Sequence, residues 1–253
     1  MLFSDIRDYT TLSEKMSPED TFKFVTAYNQ QMGPIIQEYG GFVNQYLGDG
    51  IMAIFPEDAD QTLEGAIQMQ HALTKYNQRR RRKERPVIRM GIGLHSGSLI
   101  MGIIGDEQRL DAATISDTVN IAYHIESLSK KFGAPLLISQ AFYEKIENKS
   151  AFNFRFLGKI LVKGKTEPID IYECFDGDQT EQKNLKKQAI EPFSAGMKAY
   201  WNRDFHSAIV QFEKVLKFNE SDTSAKIFLE KARHFNINTP NDNWTGIMTM
   251  KDL

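Results

Sequence analysis

Apolar residues along this chain switch repeatedly between a helical and a strand spacing, and the switches mark out its elements. Residues 1–6 open on Met1-Leu2-Phe3 and read as a short buried strand. Phe22, Val25, Tyr28, Met32, Ile35 and Ile36 then recur at helical spacing. Ser17 is placed to cap that helix, with Pro18 at its first position, Glu19 and Asp20 in its first turn, and Gly40-Gly41 to stop it. Two apolar stretches, 42–47 and 51–55, flank Gly48-Asp49-Gly50, which is a hairpin signal. A second helix is predicted over about 60–77, strands at 87–95 and 98–103, and a third helix over 117–132. A strand at 135–139, a short helix at 140–147 and a hairpin of 154–163 with 168–175 follow, the last turning at Lys163-Gly164-Lys165. This order predicts an α+β fold with a ferredoxin-like βαββαβ core and helices packed on a mixed sheet.

The composition turns polar at 176–188, which reads as a linker between a domain at 1–175 and a small all-α module at 189–253. Amphipathic helices are expected at 193–200, 205–218 and about 222–234. The pattern Ala199-Tyr200, Phe205, Ala208, Phe212 and Leu216 is similar to a tetratricopeptide-type hairpin. So short an array needs a neighbour to cover its apolar faces, either the preceding domain or a second protomer. Trp244, Ile247 and Met248 in the final segment are expected to pack back onto these helices.

A net charge of −2 argues against a nucleic-acid partner, which calls for a strongly basic surface. Arg79-Arg80-Arg81-Arg82-Lys83 is read as a solvated loop in preference to a site for an anionic partner. The one cysteine, Cys174, lies in a strand pattern and reads as a buried structural thiol, fitting a reducing, cytoplasmic setting. No apolar run approaches the roughly 20 residues of a membrane span. The chain starts within a strand pattern, so an upstream part of a larger protein is expected to have been trimmed.

Two aspartates carry the candidate chemistry. Asp5 ends the first strand, and Asp49 sits in the glycine-flanked tip of the first hairpin. Carboxylates on adjacent strand ends suit a pair of hard divalent cations such as Mg²⁺, which can serve phosphoryl displacement. Five blocks then carry a resemblance. They are Phe3-Ser4-Asp5-Ile6-Arg7, Leu47 to Phe55, Gly91-Ile92-Gly93-Leu94-His95-Ser96-Gly97, Asp117 to Ala122, and Lys163-Gly164-Lys165 with Glu167-Pro168. In this order they make residues 1–175 resemble class III adenylyl and guanylyl cyclases.

The resemblance implies a homodimer or heterodimer of cyclase domains, with sites built from both chains. It implies a nucleoside triphosphate as substrate, ATP ahead of GTP, cyclised with release of pyrophosphate. Asp5 and Asp49 match the family's metal pair, which holds two ions, Mg²⁺ or Mn²⁺. Asn120 matches the ribose-orienting asparagine, and Lys163 or Lys165 the lysine that neutralises the terminal phosphates. Three positions depart from the family. His124 stands where an arginine stabilises charge at the α-phosphate, which predicts a slow enzyme. Gln45 and Ala113 stand at the base-reading positions; Gln45 can donate and accept, whereas Ala113 offers no hydrogen bond, so base selectivity is expected to be weak. The alternatives are a degenerate relative acting as a nucleotide-binding or dimerising regulator, and a helical scaffold that uses the domain only to dimerise.

Overall fold

The computed structural model describes residues 1–106 and 110–253. Strand β1 (Leu2–Ile6) is central because its side chains are apolar on both faces, and it is almost wholly buried. Helices α1 (Tyr9–Ser13) and α2 (Pro18–Glu38) follow, then β2 (Phe42–Leu47), β3 (Gly50–Ile54), α3 (Ala59–Arg81) and β4 (Met90–Leu94). The Ser17 side chain accepts the Asp20 N–H, as an N-cap does. This is the expected βαββαβ order. A separate hairpin, β5 (Ile100–Gly105) with β6 (Leu110–Ile115), precedes α4 (Asp117–Phe132), β7 (Leu136–Ser139) and α5 (Gln140–Tyr143). Strands β8 (Phe154–Leu161) and β9 (Ile169–Cys174) lead to α6 (Thr180–Gln188), α7 (Ile190–Trp201), α8 (Phe205–Phe218), α9 (Thr223–Ile237) and a terminal β10 (Met248–Thr249).

The main sheet runs β10-β8-β9-β7-β4-β1-β3-β2. β1 is antiparallel to β3 and β4, whereas β4 is parallel to β7, so the sheet is mixed. Strand alternation sorts the core into two layers. Leu2 and Ile6 face α2 and α3 with Tyr28, Met32 and Leu63. Phe3 points the other way, onto Ala122 of α4. The helices beyond residue 188 cover the same side as α4, with Phe193, Phe212 and Phe228 buried against Leu128, Phe132 and Leu157.

Charge also crosses this contact. Arg155 of β8 pairs with Glu173 of β9 and, at 2.5 Å, with Asp222 before α9. Lys186 of α6 reaches Glu173 and Asp178, each at 2.5 Å. Such a buried network fixes how the tail seats, because any other seating strands a charge without a partner.

Two expectations need correcting, and one strand was not expected. Part of the expected linker is helical, since α6 occupies Thr180–Gln188 and buries Lys186. The basic run is not all loop: α3 continues to Arg81, and Arg80 is buried over the Phe24 ring with Nε donating to the Pro86 carbonyl at 2.6 Å. Strand β6 has no strong sequence signal, because Ala112-Ala113 interrupt its β-formers.

Candidate active site

β1 carries Asp5 to the end of the sheet where the β2–β3 turn presents Asp49. The turn needs a left-handed residue, and Gly48 supplies it with φ 67°. Asp49 Oδ2 accepts the backbone N–H of Ile6 at 3.2 Å, which ties the turn to the end of β1. Both carboxylates are half-buried, and the two side chains are hydrogen-bonding neighbours. Burial first, and then the adjoining Asp5 carboxyl, push the Asp49 carboxyl up to about 7. Neither aspartate has a salt-bridge partner among the described residues. Two crowded carboxylates without a cationic side chain form a donor set that a divalent cation relieves and fits.

Arg7, next on the same face of the chain, turns to α4 instead. Its Nη1 donates to Glu126 Oε1 at 2.7 Å, and its Nη2 reaches Ser129 Oγ. The glycines of Gly91-Ile92-Gly93 make room for this arrangement. A Cβ on Gly91 would run into the Arg7 guanidinium, and one on Gly93 would stand 2.3 Å from the Glu126 nitrogen. Helix α4 therefore lies directly on β4, with its C-terminal half beside the Asp5 end of β1.

A second group of the expected residues gathers along the N-terminal half of α4. Ser116 caps the helix by accepting the Thr118 N–H at 3.0 Å, and Thr118 Oγ1 donates to the Ser98 carbonyl at 2.8 Å. Asn120 is exposed, and His124 is half-buried one turn later on the same face. The β8–β9 turn closes over this end: Lys165 pairs with Asp117, and Lys163 stays exposed without an ion pair among the described residues. Burial first, and then the charge of Lys163, hold the His124 imidazole below its ordinary pKa. His95 directly follows the adjoining β4, its Nδ1 at 2.7 Å from Ser139 Oγ, and burial lowers it to about 4.

Asp5 and Asp49 thus stand apart from Asn120, His124, Lys163 and Lys165 within one chain. Glu126, beside the first group, lies about 9 Å further along the helix axis than Asn120 at 1.5 Å per residue. Gln45 is exposed on β2 and Ala113 half-buried on β6. A polar contact between those strands is made by their neighbours: Thr114 Oγ1 donates to Asn44 Oδ1 at 3.0 Å. Asn44 occupies the irregularity between Val43 and Gln45 in the β2–β3 register. Sequence reasoning missed Asn44, Thr114, Arg7 as a bridge, and Glu126. A charged Glu126 at a position with apolar helical neighbours was the available signal.

The sequence profile described as "Adenylate and Guanylate cyclase catalytic domain" matches residues 1–175. The chain belongs to that family. An adenylate cyclase of Anabaena cylindrica is 42% identical over 179 residues, covering 68% of this chain and 36% of that protein. The terminal-differentiation-specific adenylate cyclase of Dictyostelium discoideum is 31% identical over 237 residues, covering 91% of this chain and 11% of that protein. The chain therefore spans only a minor part of either relative. Among solved structures, the guanylate cyclase domain of RhGC from Catenaria anguillulae in complex with GTP superposes with a TM-score of 0.59. It is 25% identical and covers 68% of this chain and 93% of that one. The cyclase match ends at residue 175, whereas the similarity to the Dictyostelium protein takes in most of the helical tail as well.

Proposed function

We propose that this chain is a nucleotide cyclase whose active sites are completed only by a second cyclase domain. The observation that supports this most directly is the spread of the candidate residues along α4, with Asn120 in its first turn and the carboxylates beside Glu126 past its middle. One chain offers the carboxylates and, facing elsewhere, the asparagine and lysines; two copies can bring complementary halves together. The exposed apolar side chains Ile100, Met101, Ile103, Ile104 and Ile115 of the β5–β6 hairpin offer a surface for that pairing.

In this reading Asp5 and Asp49 hold two divalent cations, Mg²⁺ or Mn²⁺. When bound, these ions neutralise the triphosphate and polarise the reacting oxygens. Among the described residues no third carboxylate, histidine or cysteine joins the pair, so nucleotide oxygens and water complete the shell. Asn120 orients the ribose so that its 3′-hydroxyl faces the α-phosphate. Lys163, without an ion pair among the described residues, takes the terminal phosphates, and Lys165 reaches them by leaving Asp117. Asn44, held by Thr114, and Gln45 face the base; ATP is the favoured substrate and GTP the alternative. The tail is a tetratricopeptide-like hairpin seated on the catalytic unit.

A second reading, a nucleotide-binding regulatory domain, is favoured by His124. A mostly neutral imidazole places little positive charge where an arginine would stabilise the transition state. The test is product formation with Mn²⁺ and each of ATP, GTP, CTP and UTP, followed by mass spectrometry. A cyclic product that is absent with Asp49→Ala supports the cyclase. No product from a folded dimer with any nucleotide leaves the regulatory reading.

A further inference from the structure

The helices beyond residue 188 support only one of the two groups of site residues. Phe193, Met197, Phe228 and Met248 share a core with Ile121 and Ile125 of α4 and with Leu157, Ile160 and Val162 of β8 and its exit. Ser224 Oγ adds a hydrogen bond to the Phe132 carbonyl at 3.0 Å. These contacts reach the helix that bears Asn120 and His124, and the strand that leads to Lys163 and Lys165. The core under Asp5 and Asp49, built on Leu2, Ile6, Ile51 and Ala53, contains no residue beyond Cys174 among those described.

The most direct link is the last strand. β10 lies parallel to β8, with Met248 opposite Ile160 and Thr249 opposite Leu161. Leu161 ends β8 two residues before Lys163. Met248 is 3% exposed and lies against Gly158, whose φ of 113° marks the bulge in β8. The chain enters this strand through Trp244, whose ring lies 5.4 Å from Tyr200, and through Gly246, which packs on Trp201 with φ 72°. Without β10, β8 becomes the edge of the sheet, at the point where it must present two lysines.

We infer that the strand Met248–Thr249 positions one half of each active site: it holds the Lys163–Lys165 turn in place to receive a triphosphate. The Asp5–Asp49 half does not depend on it. Releasing β10 therefore weakens nucleotide capture without touching the metal half. A two-residue strand at a sheet edge is the least costly part of this module to release, which makes it the natural point of control. The inference rests on the cyclase reading and on sites shared between chains.

A strap that merely stabilises the fold would act on every chain alike, whereas this one acts on one side of each site. In a mixture of Asp49→Ala and Asn120→Ala chains, the competent site takes its aspartates from the Asn120→Ala chain and its asparagine and lysines from the Asp49→Ala chain. Met248→Asp placed in the Asp49→Ala chain is expected to raise the nucleotide KM about tenfold, as a small misplacement of a binding group does. The same change in the Asn120→Ala chain is expected to leave KM unaltered. Equal effects from both placements, or none from either, overturn the inference. Met248→Ala serves where the aspartate variant fails to fold. If the unmodified mixture makes no product, the reading of sites shared between chains has failed instead, and if the wild type makes none, the cyclase reading itself. Amide exchange then decides on the Met248→Asp protein: faster exchange over 159–168, with 2–6 and 48–52 unchanged, is expected. A uniform change or no change refutes the link.

Discussion

Arg7 and Glu126 form a 2.7 Å ion pair that joins the exit of β1 to the middle of α4. The pair is nearly enclosed, with 12% and 5% of the two side chains exposed. It fixes the helix on the strand that presents Asp5, and so sets the angle between the two groups of candidate residues. Burial raises the Glu126 carboxyl pKa, and Arg7 opposes that rise. Glu126→Ala leaves a guanidinium in a site built for a partner and is expected to cost about 3 kcal/mol. Urea unfolding measures it. A midpoint equal to wild type would mean the pair does not hold the helix.

Asp49 gives a pH signature without any substrate. Its carboxyl titrates near 7 in the folded chain and at 3.8 ordinarily, so between those values the folded state binds more protons than the unfolded one. Stability of the metal-free protein should therefore fall as pH rises through that window. His95, lowered to about 4, acts in the opposite direction, losing stability as pH falls from 6.5. The useful quantity is thus the melting-temperature difference between Asp49→Asn and wild type. It should grow in favour of the variant from pH 4 to pH 7, and shrink when Mg²⁺ or Mn²⁺ is added to wild type at the upper end. A flat difference would contradict the crowding of Asp5 and Asp49.

His124→Arg is expected to raise kcat by between about 10-fold and 10³-fold, because it supplies a fixed charge one turn from Asn120. KM should change little. Turnover by the wild type should rise as the pH falls below the ordinary histidine range, since burial and Lys163 delay protonation. Unchanged kcat in the variant would locate the limiting departure at Gln45 and Ala113.

Asn44→Ala should alter the ratio of kcat/KM for ATP and GTP by roughly tenfold if its amide meets the base. Parallel assays with the two nucleotides read this. A common loss for both would make Asn44 a structural residue of the bulge.

Much of this was legible in the chain itself, and the limits have physical causes. Local spacing announces β1, α2, the Asp49 hairpin and α4, because each is defined by neighbours a few residues apart. Asp5, Asp49, Asn120 and the lysines become candidates through the short blocks around them. The bridge from Arg7 to Glu126 spans 119 positions, and no local pattern encodes it. The seating of the tail rests on Arg155, Glu173, Lys186 and Asp222, four charges that read individually as surface residues. The separation of the two groups of candidate residues along α4 emerges only once β1 and β4 are paired, with Asp5 opposite Gly91.

Whether each site is shared between two chains can be measured directly. Asp49→Ala and Asn120→Ala proteins are purified separately, assayed alone with nucleotide and Mn²⁺, then mixed under conditions that allow subunit exchange. Each alone should be nearly inactive. Random pairing in a two-fold dimer gives mixed dimers with one intact site, so the mixture should recover about a quarter of wild-type activity. A mixture no more active than its components, beside an active wild type, would place all the machinery in one chain and contradict the account.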